Sequence, residues 1–538
     1  MLPLRRFSRR AAALHLGGAG LAAAFAGRMA LPVAAHDATP EATPVGEPLP
    51  DGITAIIEQP KYAFARWGIH VADRATGEAI YDLRGDERFL AASTNKLFPG
   101  AAALAAYGPD YRFETPIYRD GAIGADGVLT GNLVLVASGD PTMGGRTTPD
   151  GQIAFTSIDH IYANVFPEMA TLTPEDPLAG LDDLAQQVAA AGVRHVTGDV
   201  AIDARLFPSM EKDGYVLTPI WINDNLIDIS VTPGADGEPA NVAWRPQSAA
   251  VQVQTDVRTV ASGEDLSLTV TSPSPGTIAV AGQIPVSVPH ALQTFQVPDP
   301  PAFARTLLIE ALDRSGVTVT AAATGPNPED ILPAPGSYAA DNQVALFTSP
   351  PFSENIKLIF KVSMNQHADL LIFLLALKHG QTSFADGLTQ IVPFLREIGL
   401  DPDLVSISDG RGNEYTDLFS PRTVSHLLQA MATRPDFPPY FDALPILGVD
   451  GSEANTVGPT SPVRGKAFAK SGTTVAGDGM NQRALTMVRA LAGYLTAKSG
   501  RELIFAIYVS DVPLADVLDI LTIITEQGSM AEVIYEQN

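Results

Sequence analysis

The stretch Ala91-Ala-Ser93-Thr-Asn-Lys96-Leu-Phe-Pro99-Gly-Ala-Ala-Ala-Leu-Ala-Ala106 decides how the rest of the chain is read. From about Thr94 it is built of small and apolar helix formers, which predicts a helix to about Ala106. If the chain turns helical at Ser93, the residue three positions on shares its face, and the Lys96 amine reaches the Ser93 hydroxyl. A serine hydroxyl is a poor nucleophile until a neighbour takes its proton. A lysine can do so when burial and nearby cations lower its pKa. Pro99 works against an undisturbed helix, at a cost of ~3 kcal/mol unless the helix kinks.

Two short motifs follow in a fixed order, Ser363-Met-Asn365 and Lys470-Ser471-Gly472-Thr473. Ser363 suits relay of a proton to a leaving amine, and Asn365 suits positioning of a substrate amide. Lys470 is a fixed cation for a substrate carboxylate, and Gly472 is expected to let a peptide approach the strand closely. Taken singly these signals are weak. Ser-x-x-Lys usually marks a solvated helix face, Ser-x-Asn a cap and Lys-Ser-Gly a turn. Their combination, in order and in suitable elements, is specific.

Around these motifs the pattern is mixed α/β. Trp67–Asp73 and Ala79–Leu83 read as a β-hairpin, Leu133–Ala137 as a strand leading to a turn at Ser138-Gly-Asp-Pro141, and 181–191 as a helix before a strand at 200–203. Residues 225–298 turn rich in Val, Thr, Ser, Pro and Gly, with alternation at Val251-Gln-Val-Gln, which predicts a β-rich unit. Phe303, Leu307, Leu308, Ala311 and Leu312 form a helical stripe stopped at Gly316, and 370–377 is apolar all round, as a buried helix would be. Leu503–Val509 reads as a buried strand, with a helix expected from about Leu514 to Glu526.

The first 35 residues contain five arginines, no acid, and an Ala/Leu/Gly run after the basic cluster, which predicts a signal peptide for export and no stable transmembrane anchor. A Pro-rich linker is expected over 36–50. The chain carries a formal charge of −25, and without those arginines 30 basic residues face 60 acidic ones, which argues against nucleic acid as a partner. With no cysteine, disulfides, thiolate catalysis and cysteine-held metal are excluded. The nine histidines show no metal-ligand spacing, there is no phosphate loop or Gly-x-Ser-x-Gly elbow, and no metal or cofactor is expected. His367 and Asp369, close to Asn365, are expected to pack rather than react.

With these motifs the sequence resembles the penicillin-binding DD-carboxypeptidase/endopeptidases of the low-molecular-mass class C type, from about Trp67 to Val512. Ser138-Gly-Asp-Pro-Thr142, Asp409-Gly-Arg-Gly412, Leu444–Gly451 and Leu491-Ala-Gly-Tyr494 add to the likeness, and about 270 residues separate Ser93 from Ser363. Class A β-lactamases share the motifs but place only a short helical segment in that interval. The resemblance implies a transpeptidase/β-lactamase-like domain, an antiparallel sheet with helices on both faces, at 51–115 and 345–538. It would be interrupted by an inserted α/β domain at 116–224 and 299–344 that carries the β-rich third domain at 225–298.

It further implies cleavage of D-alanyl-D-alanine ends or D-alanyl cross-links of peptidoglycan stem peptides through an acyl-serine intermediate that β-lactam antibiotics would trap. Carried over by position, Ser93 is the nucleophile, Lys96 its base, and Ser363 and Asn365 the second motif. Lys470 to Thr473 form the substrate-binding strand edge, with the Ser93 and Thr473 N–H groups as oxyanion hole, and Asp203 reads the amine of the stem-peptide diamino acid. Tyr415 stands where relatives often have an arginine for a side-chain carboxylate, Ser471 replaces the usual Thr, and the segment between Thr473 and Leu491 is long. Rival readings are a β-lactamase or esterase on the same scaffold, or a non-catalytic wall-binding protein.

Overall fold

The computed structural model describes residues 46–538, so the expected signal and most of the linker lie outside the described residues. An antiparallel sheet of five strands joins the two ends of the chain, in the order Ala467–Asp478, Arg483–Thr496, Glu502–Leu514, Arg66–Asp73, Ala79–Leu83. Arg66–Asp73 zips onto Glu502–Leu514 from Arg66 opposite Ser510 to Asp73 opposite Leu503. The two-residue period of the strands sorts side chains to opposite faces. Ala490, Ala492, Tyr494, Ala506 and Tyr508 bury against helices Leu97–Tyr107, Asn365–Lys378 and Pro421–Ala432. Leu491, Leu495, Phe505, Ile507 and Val509 bury against helix Ile520–Gln537 on the other side. The fold is therefore the expected α/β class, an antiparallel sheet covered on both faces.

Helix Ile520–Gln537 corrects the expectation of 514–526: the preceding strand runs on to Leu514, and Asp516 caps a short turn by accepting from the Leu518 N–H before the helix begins. Pro99 also proves harmless. The chain makes a 3₁₀ turn over Ala92–Lys96 and becomes α-helical only at Leu97, so Pro99 is the third residue of the α-helix. In that first turn a missing N–H removes little intrahelical bonding.

Between the parts of this sheet the described residues build three others of three or more strands. It leaves through Glu114–Ile123 and returns through Gln343–Thr348, which lie side by side antiparallel in a six-stranded mixed sheet. Helices Ala179–Ala190 and Pro300–Arg314 pack with this sheet through Leu181, Leu184, Val188, Leu307, Leu308 and Leu312. Residues 226–296 form two three-stranded sheets, in one of which Gln252–Val260 runs parallel to Thr277–Pro285. A small hairpin, Met210–Lys212 with Tyr215–Leu217, leads back toward the first sheet.

Candidate active site

Ser93 sits in the 3₁₀ turn directly after Ala92, whose φ of 43° is left-handed and stores backbone strain of about 1–3 kcal/mol. The flanking motif residues hold the turn. Thr94 donates to the Ala91 carbonyl at 2.6 Å and meets the Tyr508 hydroxyl of the sheet at 2.9 Å, and the Asn95 amide donates to the Asp409 carbonyl at 2.8 Å. Gly412 packs so close that a Cβ there would lie 1.8 Å from the Ala92 carbonyl oxygen.

The buried Lys96 amine donates to Ser93 Oγ at 2.7 Å, to Asn365 Oδ1 at 2.7 Å and to the Arg411 carbonyl at 3.2 Å. None of the three acceptors is a carboxylate. Burial, reinforced by the Lys470 cation, holds the Lys96 pKa well below the ordinary lysine range, against the opposing pull of Asp409 and Asp369. Asn365 is brought there by an irregular approach: a π-helical turn over Leu358–Val362, then Ser363 in the left-handed region at φ 67°, then the buried helix Asn365–Lys378. Ser363 is buried, and its carbonyl accepts from the Tyr162 hydroxyl at 3.1 Å.

The third motif lies on the edge strand Ala467–Asp478, whose only partner strand is Arg483–Thr496 among the described residues. Buried Lys470 donates to the Ser471 carbonyl at 2.7 Å, and burial, with Arg489 adding to it and Glu453 opposing, lowers its pKa to about 7. Gly472 is needed for a different reason from the one its sequence implied. A Cβ there would stand 2.7 Å from the Ser93 nitrogen, so the glycine makes room for the serine turn itself. Behind the strand, Arg489 donates to Thr473 Oγ1 at 3.0 Å and pairs with buried Glu453 at 3.3 Å.

Asp203 is not gathered into this cluster by any of its bonds. Both its oxygens are held by Arg205 at 2.8 Å, one also accepts from Tyr338 at 2.6 Å, and despite burial these bonds keep its carboxyl below the usual range. A carboxylate already neutralised by arginine is poorly suited to read an amine, because the pair would first have to break.

His367 Nε2 donates to Asp224 at 2.7 Å, and Asp369 accepts from Tyr215 at 2.6 Å and from the Gly410 N–H at 2.8 Å. Burial, with Asp409 close by, pushes the Asp369 pKa up to about 6. Tyr415 is 71% exposed. The long segment after Thr473 is a continuation of the two paired strands to a turn at 479–482, tied by Arg483 to Asp478 at 2.9 Å. The sequence did not single out Arg411, Glu453 or Arg489. Arg411 stood within the Asp409–Gly412 motif without a role of its own, and Glu453 and Arg489 were signalled only by their charge.

The Ser93, Lys96, Asn365 and Lys470 side chains are thus gathered beside the edge strand of a covered antiparallel sheet. The chain belongs to the D-Ala-D-Ala carboxypeptidase 3 (S13) family, whose sequence profile matches residues 49–526, and so to a family of hydrolases. It is 30% identical over 520 residues to a D-alanyl-D-alanine carboxypeptidase of Actinomadura sp., covering 91% of this chain and 87% of the relative. It is 24% identical over 460 residues to the D-alanyl-D-alanine carboxypeptidase DacB of Haemophilus influenzae, covering 82% and 84%. The crystal structure of penicillin binding protein 4 (dacB) from Haemophilus influenzae superposes with a TM-score of 0.65 at 21% identity, covering 90% of this chain and 99% of that one. A second structure of that protein holds a β-lactam. Among the described residues no helix is long and apolar enough to cross a membrane.

Proposed function

We propose that this chain is an exported serine DD-peptidase that cleaves D-alanyl-D-alanine ends or D-alanyl cross-links of peptidoglycan stem peptides, and that β-lactams acylate it. The observation that carries this reading is the Lys96 amine, depressed in pKa and 2.7 Å from Ser93 Oγ. Once it has given up a proton, the amine at that distance accepts the serine proton as Oγ attacks the penultimate D-alanyl carbonyl. The Ser93 and Thr473 N–H groups receive the oxyanion, and losing such a donor typically costs ~3 kcal/mol. Asn365 holds both Lys96 and the substrate amide, and Ser363 passes the proton to the leaving amine. Lys470 supplies charge, with Ser471 and Thr473 hydroxyls, for the terminal carboxylate. The outer edge of the strand bonds the 445–447 segment only as far as Ala469, and from Lys470 onward it suits a peptide lying alongside it as an added strand. Water then deacylates Ser93.

The domain division stated above is part of the same proposal, as is a location outside the cytoplasmic membrane. The family membership supports the D-alanyl bond as target, and the relative with a bound β-lactam supports the inhibitor class. Incubation with purified peptidoglycan fragments, followed by mass spectrometry, tests the reading: loss of one D-alanine or separation of cross-linked dimers is expected. Fragments of unchanged mass contradict it.

A further inference from the structure

The loop Asp409–Gly412 sits under the Ser93 turn and beside the Asn365 helix, and at its centre Arg411 is buried with three carboxylates around it. Its Nε donates to Asp409 at 3.0 Å and lies 3.4 Å from Asp369, and its Nη2 pairs with Asp213. Asp213 is the exposed tip of the hairpin Met210–Leu217, which comes from the chain between Ser93 and Ser363. The same hairpin places the Tyr215 ring 5.6 Å from the guanidinium, the Tyr215 hydroxyl on Asp369, and Lys212 at 4.0 Å from Asp409 and 3.3 Å from Glu414. Meanwhile the Arg411 carbonyl accepts from the Lys96 amine.

We propose that Arg411 is a positioning residue for the Lys96 base, held from outside the catalytic sheet by the Lys212–Asp213–Tyr215 hairpin, so that this hairpin sets how readily Lys96 gives up its proton. The idea rests on the reading of Lys96 as base. The physical argument is charge balance. Asp369 and Asp409 face Lys96 from the helix and from the loop, and left alone they would favour its ammonium form. Arg411 offsets them from one side, and Lys470 adds its charge from the edge strand. Asp417, which donates no charge of its own while protonated, has its pKa raised to about 7 by burial and by Asp409, so it adds to this balance only above that pH. Within a low-dielectric pocket such terms are large enough to shift a titration by a unit or more. An exposed arginine would do nothing of the kind.

The pH dependence of acylation by a chromogenic β-lactam separates this from simple structural support. Acylation rises with pH as Lys96 loses its proton, so Arg411→Gln is expected to move that limb upward by about one unit, while Arg411→Lys leaves it near the wild-type position. Lys212→Met, at a partly buried position of the hairpin, is expected to move it in the same direction by a few tenths. A limb that stays in place in Arg411→Gln, with the rate reduced equally at every pH, overturns the proposal. Should Arg411→Gln not accumulate as folded protein, an unmoved limb in Lys212→Met overturns it. Lys96→Ala distinguishes the two failures: if the wild-type limb persists there, the base assignment falls, and if only Arg411 and Lys212 leave it unmoved, the hairpin proposal alone falls.

Discussion

Two buried charge clusters in this molecule are built on opposite rules. Around Lys96 the amine bonds only to uncharged oxygens and faces a second buried lysine, so its charged form is penalised. Around Arg146 every charge meets its opposite. The guanidinium bonds Asp159 at 2.7 Å and Asp224 at 2.8 Å, and His160 bridges Asp224 at 2.8 Å and Asp228 at 2.7 Å. His367, on the Asn365 helix, reaches the same Asp224 at 2.7 Å, so the balanced cluster fastens the helix that bears Asn365. The first arrangement leaves a proton easy to move. The second holds the sites that supply its surroundings.

The two clusters therefore respond differently to substitution. The largest effect on stability is expected from Arg146→Met, which leaves Asp159 and Asp224 buried without their cation and costs about 3–5 kcal/mol, read as a lowered midpoint in chemical denaturation. A loss under about 1 kcal/mol would mean that the cluster is wetter or less coupled than its distances indicate. Lys96→Ala is expected to leave stability intact or improved while slowing acylation at least ~100-fold, or ~2.7 kcal/mol of barrier. Stopped-flow acylation and a melting curve of the same sample check both halves.

Gly472→Ala is a milder probe of the serine turn. Its Cβ collides with the Ser93 nitrogen, so a destabilisation of about 1–3 kcal/mol is expected together with slower acylation, measured as above. The smallest effect is a pH dependence of the balanced cluster. Burial works against a charged His160, but Asp228 and Asp224 overcome it and push its pKa up to about 10 from 6.5. A raised folded-state pKa means the stabilisation is complete below about 6.5 and is lost as pH rises toward 10. Melting temperature should therefore fall across that window in the wild type more than in His160→Gln. Parallel curves would remove His160 from the account.

The sequence made the reacting groups legible because they sit in short motifs whose spacing fixes geometry: Lys96 three residues after Ser93, Asn365 two after Ser363. The covered sheet was legible in part, from the fully apolar Leu503–Val509 and the hairpin Trp67–Leu83. What escaped was whatever depends on contacts far apart in the chain. Asp203 looks available in sequence, and only folding reveals Arg205 and Tyr338 on its oxygens. Arg411 looks like a loop residue until Asp213, nearly two hundred residues earlier, closes on it. Pro99 looked disruptive because the 3₁₀ turn that delays the α-helix to Leu97 is set by Thr94 and Asn95 bonding to other elements, not by local propensity.

The most direct test of the central claim is labelling by a fluorescent penicillin, with the modified peptide located by mass spectrometry. The account predicts one adduct on the peptide containing Ser93, and none in Ser93→Ala of unchanged melting temperature. Normal labelling of that folded variant, or an adduct on another residue, would contradict it.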